Sequence, residues 1–218
     1  MPRERVERDP DLERLLLLTD GVFAIAMTLL AVELGLPEGA RHSSGLGLMA
    51  YLLSTWPQVF AFVQSFTILA LYWSAHHRTY RHLRRSDGAF VWLNLAFLLT
   101  VSFQPFPTSV VGEHLFDPAS GVFYFGSLVL TSASFWAMWW YATTQHRLVD
   151  PKLASRLVRH YRRVLGVPAV VFVLGTLLAA MTLIVPALKP LFALFVAVAY
   201  LVAVSYIVLA VREFWEPR

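Results

Sequence analysis

Between Leu15 and Leu34 the sequence reads LLLLTDGVFAIAMTLLAVEL, an apolar run that carries two carboxylates, Asp20 and Glu33. Insertion scales put an aspartate at the centre of a membrane helix at roughly +2.5 to +3.5 kcal/mol. A group that costly has a partner or a task. Counted from Leu12, Asp20 lies about 12 Å along a helix, between one surface and the midplane. The partner candidates are His76 and His77, in LYWSAHHRTYRHLRR. A carboxylate buried against an imidazole exchanges hydration for a charge-assisted hydrogen bond, and the sequence does not choose between the two rings. Glu33 sits near the other end of the run. There it either lines a cation entrance, since rings of acids attract cations, or ends the helix among headgroups.

Other chemistry is thin. Adjacent His76 and His77 point about 100° apart on a helix, so one helix does not aim both at one metal. There is no H-E-x-x-H zinc site, no G-x-S-x-G nucleophile elbow and no cysteine. These features point away from an enzyme and from a resident cofactor or metal.

The elements that must position Asp20 and Glu33 are membrane helices. Charged residues make up 15% of the 218 residues, against about 25% in soluble domains. Five stretches carry no charge: Ser43–Ala75, Ala89–Gly112, Pro118–Gln145, Val164–Leu188 and Pro190–Val211. Each exceeds the roughly 20 residues that cross a bilayer as a helix, and none alternates like a barrel strand. With the opening run, six spans are expected, near 12–36, 48–75, 89–111, 121–143, 164–185 and 191–211. The fold class is all-α, a six-helix membrane bundle forming one domain over 1–218. The first run is too long for a cleavable signal peptide, and its leader mixes acids with bases. Pro105 and Pro107 should bend or end the third span.

Sixteen of the eighteen basic residues fall on one side of this topology, leaving Arg41 and Lys189 on the other. The positive-inside rule then puts both termini in the cytoplasm. Topology alone explains the basic balance, and no nucleic-acid partner is needed. The longest linker, HRLVDPKLASRLVRHYRR, reads either as a basic helix on the membrane surface or as the topology signal itself. Gln58, Gln64, Asn94 and Gln104 read as polar glue between helices.

Helical geometry sorts the first span into faces. At about 100° per residue, Leu18, Gly21, Leu29 and Val32 fall within about 40° of Ile25, with Thr28 beside them at about 60°. Asp20 points about 140° away. One face is therefore a smooth aliphatic column with a hydroxyl at its edge, and another reaches for a polar partner.

Arg14 and the run TDGVFAIAMTLLAVEL, followed by HHR after the second span, WLNLAFLL in the third and PFPTSVVGEH at its end, resemble a known family. It comprises the lysosomal potassium channel of animals and its bacterial six-helix relatives. The resemblance implies a potassium-selective cation channel in the bacterial plasma membrane. One six-helix unit per chain implies a homotetramer whose first helices line a central pore. By motif position, Ile25, Leu29 and Val32 form the constriction, Thr28 tunes potassium preference, and Glu33 sits at the pore mouth. Arg14, Thr19, Asp20, His76 and His77 complete the structural signature. The family's Phe-Ser-Asp is Leu18-Thr19-Asp20 here, so the hydroxyl is kept and a ring is lost. Val32 stands where a longer aliphatic can occur.

The family lacks the Gly-rich carbonyl filter, and no TVGYG-like loop occurs here. A ring of apolar side chains gates by dewetting, and selectivity built on stripping water is modest. With Asp20 turned from the pore, pH should modulate conduction more than protons carry it. A secondary transporter of a small ion or solute is the alternative; it calls for broken helices at the midplane or inverted repeats.

Overall fold

The structure is a computed structural model that describes residues 9–35, 44–150, 153–198 and 201. Its helices are α1 (Pro10–Val32), α2 (Gly45–Ser54), α3 (Trp56–Tyr80), α4 (Gly88–Phe103), α5 (Pro105–Glu113), α6 (Pro118–Thr143) and α7 (Ser155–Ile184). An eighth, α8, covers 189–198. Five segments among the described residues are long and apolar enough to cross a membrane: α1, α3, α4 with α5, α6 and α7. Most of the sixth expected span lies outside the described residues.

Three spans start on an aspartate. Asp9 accepts from the Asp11 amide at 3.1 Å, Asp87 from Phe90 at 2.8 Å and Asp117 from Ala119 at 2.8 Å. Each satisfies amides that a helix start leaves open. Pro10 and Pro118 then occupy first-turn positions, where a missing N–H costs nothing.

Prolines also set the interruptions. The expected bend in the third span is the junction of α4 and α5 at Gln104, directly before Pro105. Pro105 has no N–H for the Val101 carbonyl, and the Gln104 amide donates to it instead at 3.1 Å, so the break leaves that carbonyl satisfied. The second span is broken too, at Thr55, two residues before Pro57. Pro168, by contrast, is carried inside α7 without a break. The helix of the fifth span starts nine residues before the expected span itself: the basic end of the long linker is the first two turns of α7 rather than a separate surface helix.

α1 packs on α3 and α4, α4 packs on α6, and α6 carries α7 on its far side. Between them runs polar glue of the kind apolar solvent favours. Tyr124 and Ser65 share a hydrogen bond of 2.8 Å, and Thr108 donates to Ser65 at 2.8 Å. The Gln104 amide donates to Thr131 at 3.0 Å, and Tyr72 pairs with Ser132.

Candidate functional site

α1 is divided by exposure along its whole length. Leu12, Leu15, Thr19, Phe23, Ala26 and Leu30 are buried, at intervals of three and four that keep them on one face. The stripe isolated by helical geometry is uncovered: Ile25 is 61% exposed, Leu29 41% and Val32 74%. Gly21 and Thr28 are exposed beside them. An aliphatic column left bare by its own bundle is a surface for lipid or for other copies of the chain. The Thr28 hydroxyl donates its proton to the Ile25 carbonyl at 2.8 Å. Its oxygen lone pairs remain available on the exposed side.

The buried face is anchored by one amide. Asn94 of α4 donates to the Thr19 hydroxyl at 3.0 Å, and Thr19 passes its own proton to the Leu15 carbonyl at 2.8 Å. The Asn94 carbonyl accepts from the Tyr80 hydroxyl at 2.8 Å and meets His76 Nε2 at 3.3 Å. With a carbonyl facing it, His76 carries its proton on Nε2. Phe23, Tyr80, Phe97 and Phe135 surround the His76 ring, with centroids 3.9–6.4 Å away.

The expected pairing of Asp20 with His76 or His77 is not formed. Asp20 instead accepts from the Trp73 indole N–H at 2.9 Å. The reason is angular. Thr19 faces α4 and His76 does the same from α3, so the adjacent Asp20, about 100° round α1, meets α3 one turn away from His76. His77 lies on that side of α3, its ring 5.9 Å from Trp73. The sequence points to the imidazoles and not to the indole, although Trp73 and His77 stand four residues apart, a spacing that shares a helix face. Asn94 is glue between helices, as its place in the third span predicts, and its partners are those named above.

Arg14 is exposed near the start of α1. Glu33 caps the other end and is exposed. With Gln58, Thr108 and Glu113 it lines a cavity of about 310 Å³ at that end of the bundle. Glu113, unnoticed in the sequence, adds a second carboxylate there.

The family described as endosomal/lysosomal potassium channel TMEM175 matches residues 14–105, a segment that contains every site residue read from the sequence. A potassium channel of Chamaesiphon minutus is 35% identical over 164 residues, 72% of this chain and 80% of that one. A potassium channel of Streptomyces collinus is 35% identical over 148 residues, 66% of this chain and 70% of that one. A crystal structure of a lysosomal potassium-selective channel TMEM175 homolog from Chamaesiphon minutus superposes with a TM-score of 0.66. It is 30% identical, covering 88% of this chain and 99% of that one.

Proposed function

This chain belongs to the TMEM175 family of potassium channels, and from that premise we propose that it conducts potassium through a pore lined by α1 in a homotetramer. The observation that carries the reading is the bare stripe of Ile25, Leu29 and Val32, opposite a face fixed to α3 and α4. Four copies turned to a common axis cover that stripe and stack three apolar rings. Such rings hold water poorly and gate by dewetting.

Potassium, the more weakly hydrated ion, sheds water at lower cost than sodium. Thr28 oxygens at the constriction replace part of the lost shell, because their protons are already given to Ile25 carbonyls. Selectivity by this route is modest. Glu33 at the mouth, with Glu113 nearby, raises the local cation concentration. Asp20 and Thr19 hold α1 in register through Trp73 and Asn94, and Arg14 stands near the arginine-rich end. Residues 1–218 form one six-helix unit of the bacterial plasma membrane, with both termini cytoplasmic by charge bias.

The test is potassium and sodium flux from liposomes holding the purified protein and its Ile25→Asn variant. Potassium flux should exceed sodium flux. The variant should raise both about tenfold, the effect of taking roughly 1.4 kcal/mol off a dewetting barrier. Unchanged or lower flux from an intact variant tetramer overturns the constriction. Flux that saturates and follows a proton gradient would instead indicate a secondary transporter.

A further inference from the structure

One face of α7 changes from cationic to aliphatic along its length. At about 100° per residue, Arg156 and Arg159 lie within roughly 40° of Arg163. Val167, Val170 and Leu174, further along, lie within the same sector. All six are exposed. Among the described residues no carboxylate pairs with these three arginines; the ion pair there is Arg84 with Asp150 at 2.7 Å. Arg162, on another face, is engaged, giving its guanidinium to the Thr143 hydroxyl at 3.0 and 3.3 Å.

Length fixes the depth of these arginines. The 30 residues of α7 make a helix about 45 Å long, against a hydrocarbon core of about 30 Å. The surplus, about 15 Å or ten residues, matches the segment that carries the arginines. Two tryptophans mark the same level. Trp136 of α6 donates its indole N–H to the Arg162 carbonyl at 3.2 Å and stacks on Trp140 at 6.4 Å. Both indoles are exposed, as interfacial tryptophans are.

We propose that this face of α7 binds an anionic phospholipid. Its phosphate takes the fork-shaped guanidiniums of Arg156, Arg159 and Arg163, and its acyl chain runs along Val167, Val170 and Leu174. A soluble phosphate would use the arginines and leave the aliphatic face bare; a lipid uses both. α7 packs on α6, on the side of the bundle away from α1, where lipid reaches it. Nothing here depends on what passes along α1.

The test reads binding, not flux. Detergent-purified protein is titrated with phosphatidylglycerol and with phosphatidylcholine, and bound lipid is counted by native mass spectrometry. Phosphatidylglycerol should bind preferentially. A basic residue near an anionic surface contributes roughly fivefold in affinity, so the triple variant Arg156→Gln, Arg159→Gln, Arg163→Gln should weaken phosphatidylglycerol on the order of a hundredfold. Phosphatidylcholine binding should not change. A triple arginine-to-lysine variant, which keeps the charge and loses the fork, should fall between the two and serves if the glutamine variant does not fold. Equal phosphatidylglycerol binding by the wild type and both variants overturns the proposal. So does full competition by glycerol 3-phosphate at the lipid's own concentration, because the aliphatic face would then contribute nothing.

Discussion

Asn94 has one side-chain amide and one carbonyl, and both are engaged between helices. It is fully buried and joins Thr19 of α1 to Tyr80 and His76 of α3. Asn94→Leu keeps the volume close but removes the acceptor for two buried donors and the donor to Thr19. Each orphaned buried group costs about 1–3 kcal/mol, so the variant should lose about 3 kcal/mol, read as a lower melting temperature in detergent. Thr19→Val should lose less, since it removes the acceptor of the Asn94 amide but leaves the Asn94 bonds with Tyr80 and His76 in place. Equal losses would mean that the link to α1 dominates the site. At this scale the sequence was legible where periodicity ruled. The bare stripe of α1 follows from 3.6 residues per turn. The partner of Asp20 did not, because a donor on another helix is chosen by the angle between helices, which no spacing within α1 records.

Hydropathy located the spans but not their breaks or their contacts. The α4–α5 junction was legible because two prolines two residues apart leave few alternatives. The break at Thr55 was not, since a lone proline such as Pro168 is equally compatible with an uninterrupted helix. Close approaches were hidden too, because glycine is apolar wherever it falls. A Cβ placed on Gly175 of α7 would lie 2.8 Å from Phe195 Cε1 of α8 and 3.1 Å from Phe125 Cγ of α6. Gly175 is thus the notch through which α8 reaches α6. Gly126 of α6 has nothing within 4 Å of its own added Cβ. Gly175→Val should cost about 2 kcal/mol by overpacking, whereas Gly126→Ala should be neutral or gain up to about 1 kcal/mol in helix propensity. Melting temperatures of the two variants check this, and equal shifts would remove the notch.

Across the whole molecule, the arginine-rich end is tied together by linkers that the sequence showed only as charge bias. Leu83 and Val149 form an isolated antiparallel bridge, and the Arg84 amide donates to the Leu148 carbonyl at 2.9 Å. Arg85 donates to the Arg147 carbonyl at 2.9 Å. The Tyr141 hydroxyl donates to Asp87 at 2.9 Å and accepts from Arg147 at 2.8 Å. α1 joins this clasp at its N-cap, where Asp9 accepts from the Ser86 amide at 3.2 Å and its hydroxyl at 3.4 Å. The Ser86 amide, then that of Asp11, hold the Asp9 carboxyl below its usual value of 3.8. A carboxyl that loses its proton more readily when folded stabilises the fold above its unfolded pKa. That contribution is whole at neutral pH and is lost as pH falls through the folded value, below 3.8. Asp9→Asn keeps an acceptor but no charge. The wild type should therefore melt above the variant by a constant margin from neutral pH down to about 4, and the margin should shrink below that. A margin already closing between about pH 6 and 5 would assign the effect to another group. A margin absent at neutral pH would detach α1 from the clasp and leave Asn94 and Trp73 as its anchors.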